Sequence, residues 1–451
     1  MQKKENGILK GSLFLGISAF ITKLLGAIYR VPLTNLIGAE GIGVYQMVFP
    51  VYCVLLDLSG AGVPSALSFL ISKNRENERY AQTVLFGSLK LFSVVGVIAT
   101  LIMMSLSYPL SIAQGNSKAF LGYVFLSPAV ILVALISCYR GYFQGKMNML
   151  PTSVSQIIEQ SVKLGVGLLL CKLLMPSVEK AVGGATSAVT ISELIALIYL
   201  IFHYKRKQRK VVPFDKALFL KERGRFIKCT AIVTLISVLI PLSQVIDSFL
   251  IVNVLSRYRQ DATSLYGLFS GTAQTVISLS VSVCYAVATV AIPAVSGAKS
   301  HDEKLNSLKK TLFLTLAVSL ILAVLTYFFS PLIVRILFSK LLQEEKTLTI
   351  KLIKSLSVTV VLLSLLQTQN ALLIGLNKKI YPVISLSIGI IIKIILSVCL
   401  LYRPDINIFG SVIGVIACYF IACLINFIWI IKFGVKNASK ANFNRQNSCR
   451  E

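Results

Sequence analysis

Acidic side chains are scarce in this sequence: 18 Asp and Glu stand against 45 Lys and Arg, and charged residues of both signs reach only 14% of 451. Soluble domains carry about 25%, so there is too little charge here to wet the surface of an ordinary soluble fold. Histidine is nearly absent, and His203 and His301 lie in or beside polar breaks without forming a ligand cluster. The nine cysteines contain no CxxC pair, and Cys53, Cys171, Cys284, Cys418 and Cys423 fall within apolar segments. That pattern excludes a zinc site or a disulfide framework and leaves packing as their use. HExxH and GxSxG are missing, and no polar stretch is long enough for a soluble catalytic domain. "GYFQGKM" spaces its glycines too closely for a phosphate loop and has Met147 where that loop needs Ser or Thr. The expectation is a protein without enzymatic activity, cofactor or metal, whose work is driven by gradients or by membrane potential.

What the sequence has in abundance is oil. Hydrophobic residues make up 55% and the mean hydropathy is +0.79, which identifies an all-α integral membrane protein. At roughly 20 apolar residues per spanning helix, about twelve segments qualify. The first six are 8–33, 43–71, 81–107, 119–138, 151–175 and 186–204; the second six are 226–255, 265–295, 311–338, 350–374, 381–401 and 410–433. Pro331 marks a candidate break in the ninth. The start "MQKKENGILKGSLFLGISAF" imitates a secretory signal, but Lys23 interrupts the run and no small-residue cleavage site follows, so an uncleaved first span is expected.

The formal net charge of +27 sits in short polar breaks between apolar segments, not in a patch on a soluble domain. It therefore signals cytoplasmic loops of a cell-membrane protein, not nucleic acid. Two six-helix lobes, 1–204 and 226–433, flank a basic linker at 205–225, and a tail follows at 434–451. Placing the linker inside puts both termini in the cytoplasm, together with "KNRENER" and "GAKSHDEK", and leaves outside the loops around Asn35, Asn116 and Asp405, which are poor in positive charge. Lys340, Lys346 and Lys351 fall on the outside, accompanied by Glu344 and Glu345. A monomer among membrane lipids is expected.

The two halves share a pattern. "FQGKMNMLPTSVSQIIEQSVK" is similar to "LIGLNKKIYPVISLSIGIIIK": Gly145 precedes Pro151, Gly375 precedes Pro382, and Lys163 and Lys393 follow well into the next helix. Glycine closes one helix and proline opens the next, where its missing N–H costs nothing. Six helices per half give the repeats a common orientation, with their symmetry axis along the membrane normal.

Charges inside such segments cost about 2.5–3.5 kcal/mol each at mid-membrane, so they should face the protein interior. Thr152, Gln156, Glu159, Lys163 and Gly167 share one helical face, and Glu159 precedes Lys163 by one turn, the favourable order for a pair. Such a pair could serve only helix packing or could line a cavity. Ser12, Gly16, Ala19, Lys23, Gly26 and Arg30 form a stripe of small residues with two cations, a sign of close packing or of an anion nearby. Asp57 lies with Gln46, Pro50, Gly60 and Pro64; the seventh segment offers Pro241, Gln244 and Asp247, and the eighth Gly267, Gly271 and Gln274. These matching segments are where a cavity at a repeat interface would be lined.

"LKGSLFLGISAFITKLLGAIYRVPLTNLIGAEGIGVYQMVFP", "GVPSALSFLISK" and "YRGYFQGKMNMLPTSVSQIIEQ" together resemble the stage V sporulation protein B type of polysaccharide transporter. That family sits in the multidrug/oligosaccharidyl-lipid/polysaccharide superfamily, with the MATE transporters and the lipid II flippases. The resemblance implies two six-helix lobes related by a pseudo-two-fold axis around a central cavity, and alternating access. It implies as partner an undecaprenyl-diphosphate-linked saccharide, carried between leaflets and held through its diphosphate by basic residues, Lys23 and Arg30 being the candidates. The second and eighth segments lack the basic residue of lipid II flippases and offer Asp57 and Gln274 instead, and relatives commonly carry two further helices after the twelfth. Two other functions fit the composition. One is a small-molecule antiporter coupled to H+ or Na+ through Asp57, Glu159 or Asp247; the other is a non-transporting scaffold docked through the basic linker. A major-facilitator carrier is disfavoured, because its loop motif is missing from "ISKNRENER".

Overall fold

The computed structural model describes the backbone of residues 2–207, 212–284, 301–376, 378 and 380–448, and within these the side chains from residue 22 onward except those of 23, 207, 232, 301–305 and 434–448. No strand occurs among the described residues. The helices are α1 (Gln2–Leu56), α2 (Val63–Lys73), α3 (Glu78–Ser105), α4 (Ser107–Ala113), α5 (Phe120–Gly145), α6 (Leu150–Leu174) and α7 (Val178–Lys207). There follow α8 (Lys216–Leu255), α9 (Ala262–Tyr266), α10 (274–284), α11 (His301–Leu337), α12 (Gln343–Gly375), α13 (Tyr381–Leu401) and α14 (Phe409–Ser448). Two π-helical turns, Asp57–Ala61 and Gly267–Ala273, interrupt the runs α1–α2 and α9–α10.

Among the described residues ten helices are long and apolar enough to cross a membrane. Two differences separate this from twelve. The first two expected spans form one run, Leu24–Lys73, and α6, which carries Glu159, Lys163 and Lys172, is not among the ten. The expected loop around Asn35 is helical, and one residue breaks the run: Gly38, at φ 71° and ψ −176°, a backbone state open to glycine and costly for any other residue. The expected break at Pro331 is absent, since α11 runs through it to Leu337.

The outer surface is apolar. Phe313 is 74% exposed and Phe328 70%, as lipid contact requires. Inside, hydroxyls are buried because they bond back to the preceding turn: Ser88 donates to the Val84 carbonyl at 2.7 Å and Ser127 to that of Tyr123 at 2.6 Å. The glycine-to-proline pattern of both halves is realised: α5 ends at Gly145 and Pro151 opens α6, while α12 ends at Gly375 and Pro382 opens α13.

Two compact units divide the chain, Met1–Ser256 with Asp261–Gly267, and Arg257–Gln260 with Leu268–Glu451. The first thus holds α8. Gly62 makes that possible, since a Cβ there would stand 2.2 Å from the Thr230 carbonyl oxygen, and Gly87 likewise leaves room for the Phe219 ring. Phe226 packs edge-on to Phe92 at 5.8 Å. Asp215 accepts from Leu218 N at 3.0 Å, capping α8 within the basic stretch, and pairs with exposed Arg79 at the start of α3. In the second unit Asn426 joins α14 to α13 and α12, accepting from Ser385 at 2.6 Å and donating to Asn370 at 2.8 Å.

Not every glycine is needed. Gly165, in the interior of α6, has nothing within 4 Å of where a Cβ would stand. Gly165→Ala is expected to stabilise the detergent-solubilised protein by about 0.5–1 kcal/mol; a lower melting temperature would contradict this.

Candidate functional site

Across the turn between Gly145 and Pro151, Arg140 near the end of α5 reaches the first turns of α6. Its Nε donates to Ser155 Oγ at 3.0 Å and its Nη2 to Glu159 Oε2 at 2.9 Å. The ion pair is sheltered, with side chains 15% and 16% exposed. Gln160 donates to the other Glu159 oxygen at 2.9 Å. The pairing of Glu159 with Lys163 expected from their spacing is therefore corrected: Glu159 is held by Arg140, and among the described residues Lys163 makes no ion pair. A guanidinium wins because its planar fork reaches serine and carboxylate together.

Lys163 is buried all the same, 8% exposed. Its ammonium lies 5.0 Å from the Phe49 ring centroid and 5.3 Å from that of Tyr29, both on α1, a cation–π placement. Tyr29 fits because residue 167 is glycine; a Cβ there would stand 2.6 Å from the Tyr29 hydroxyl. The Phe49 ring is itself sandwiched by its neighbours, 5.4 Å from Tyr45 and 5.8 Å from Tyr52. Arg30, partly buried on α1, is in electrostatic reach of Lys163, Tyr45 and Cys53. From α7, Glu193 enters the same region, 4% exposed and in reach of Glu159, Arg140 and Lys163.

The first unit thus gathers Arg30, Glu159 and Lys163 from the sequence-derived set. Asp57 begins the π-helical turn after α1, in electrostatic reach of Cys53. The side chain of Lys23 lies outside the described residues. Gln46 is buried, and its carbonyl accepts from Tyr266 at 3.1 Å. Gln244 and Asp247 are on α8, the first exposed and the second half-buried, while Gln274 opens α10 in the second unit. Arg140 and Glu193 were missed. Both stand alone as charges in apolar runs, "ISCYRGYF" and "TISELIALIYL", so the rule that singled out Glu159 would have found them.

Among the described residues no cluster of His, Cys, Asp and Glu could hold a metal ion. What the arrangement offers is charge stored at membrane depth: two carboxylates and three cations on four helices, with one cation resting on rings.

Comparison with known proteins agrees with this fold. The profile described as "Polysaccharide biosynthesis protein" matches residues 8–299, and the MatE profile matches 233–399. Stage V sporulation protein B of Bacillus subtilis (strain 168) is 26% identical over 433 residues, covering 90% of this chain and 80% of that protein. Lipid II flippase MurJ of the same organism is 26% identical over 449 residues, covering 91% and 80%. The inward-facing structure of a multidrug resistance MATE family transporter of the MOP superfamily superposes with a TM-score of 0.74 over 93% of this chain and 95% of that one; at 13% identity the likeness is one of fold.

Proposed function

This chain belongs to the polysaccharide biosynthesis protein family, and we propose that it carries an undecaprenyl-diphosphate-linked sugar, a peptidoglycan precursor or another polysaccharide unit, between the leaflets of the cell membrane by alternating access. The broader frame is a multi-pass membrane transporter of the MOP superfamily. One relative being a lipid II flippase supports a lipid-linked sugar as cargo. The observation that carries the reading is Lys163: a buried ammonium held on aromatic rings, with its neighbouring carboxylate taken by Arg140, beside Arg30. Positive charge kept in the bilayer without a carboxylate of its own attracts an anionic headgroup. Arg30 and Lys23, one face of α1, are assigned to the diphosphate, while the prenyl tail stays in lipid.

The test is flipping of fluorescent undecaprenyl-diphosphate disaccharide in vesicles. Lys23→Ala with Arg30→Ala is expected to slow it by roughly tenfold or more, the equivalent of at least one charge-assisted hydrogen bond at about 1.5–3 kcal/mol. Unchanged flipping by the folded double variant would remove the diphosphate role, and organic cation transport without lipid flipping would favour an antiporter.

A further inference from the structure

Glu193 is the buried charge that the flipping mechanism leaves unused. It stands midway along α7, 4% exposed, and among the described residues its Oε2 has no hydrogen-bond partner. The hydroxyl of Tyr52, 2% exposed and in electrostatic reach of Glu193, has none either. The charged and titratable groups facing Glu193 come from every long helix packed on this part of α7: Tyr52 from α1, Arg140 from α5, and Glu159 and Lys163 from α6. Arg140 is committed to Ser155 and Glu159, and the Lys163 ammonium to the rings of Tyr29 and Phe49.

A buried carboxylate with a bare oxygen, facing a second carboxylate, is poorly provided for when ionised. We infer that Glu193 is a proton-binding site of this transporter: Oε2 gains an O–H bond to a proton taken from water on one side of the membrane and returns that proton to water on the other. Lys163 sets the exchange. When its ammonium swings from the rings toward Glu193 the proton leaves, and when it swings back the proton is retained. A sodium ion does not suit the same place, because Arg140 and Lys163 already bring positive charge to bear on it. Coupling this proton to the cargo rests on the lipid-flipping reading; the proton site does not.

Two measurements test it. In infrared difference spectra of the purified protein in vesicles, recorded without any cargo, acidification is expected to raise a protonated-carboxyl band that is missing from Glu193→Gln, shifted in Glu193→Asp and kept in Glu159→Gln. The same band in Glu193→Gln overturns the assignment. In the flipping assay, a gradient of about one pH unit at clamped potential, a tenfold proton ratio, is expected to change the wild-type rate up to about tenfold and to leave that of Glu193→Gln without response. A wild-type rate indifferent to the gradient overturns the coupling. A lipid that never flips, with the band present, counts against the cargo and upholds the proton site.

Discussion

Arg140→Ala is expected to lower the stability of the detergent-solubilised protein by about 3–5 kcal/mol, the cost of removing one partner of a buried ion pair. The variant strands the Glu159 carboxylate, which retains Gln160 as donor in a pocket where its side chain is 16% exposed. Ser155 loses its guanidinium contact as well. The penalty comes from the unpaired charge and not from the missing bond, so Arg140→Ala combined with Glu159→Gln should recover much of it. A double-mutant cycle on melting temperature reads the coupling. If the two losses simply add, the pair is not a structural unit.

Gly43→Val should be nearly as damaging, for a steric reason. A Cβ at Gly43 would stand 2.1 Å from the Thr263 carbonyl oxygen, and one at Gly267 would stand 2.2 Å from that of Ala39. The obstacle at each position is backbone, which cannot rotate away, so α1 and α9 must part. Parting them breaks the hydrogen bond that joins them within the first unit, Tyr266 to the Gln46 carbonyl at 3.1 Å. The loss should exceed the about 1–3 kcal/mol usual for overpacking, because backbone cannot repack as side chains do. Thermal unfolding beside Gly165→Ala supplies the contrast. A Gly43→Val protein that melts with the wild type would show that the contact is dispensable.

Gly43 and Gly165 look alike in the sequence, and only their surroundings separate them. The same holds for charge. Glu159 and Lys163 are one turn apart on α6, which makes a local pair the natural expectation, yet Arg140 lies across the hairpin and takes the carboxylate. Sequence spacing sees the near partner and is blind to the far one. Gln46 is a milder case: its side chain made it a candidate, while its backbone carbonyl accepts from Tyr266 at 3.1 Å.

Other features were legible because they are local. The glycine that ends α5 and the proline that opens α6 obey backbone rules that need no neighbour, and the rules hold again at Gly375 and Pro382. The merger of the first two spans was not legible, since a loop and a helix broken only at Gly38 read alike over the nine residues 34–42.

By itself, then, the amino-acid order determined that this protein is helical, that it lives in a membrane, and where most of its helices start and stop, because apolar length and capping act within a few turns. Only the tertiary structure decided that α8 joins the first unit, that Arg140 holds Glu159, and that Glu193 lies in electrostatic reach of Lys163. Those outcomes are competitions among side chains distant in sequence for the same few buried places. Their winners are set by reach and by the cost of leaving a charge unpaired, which no local pattern records.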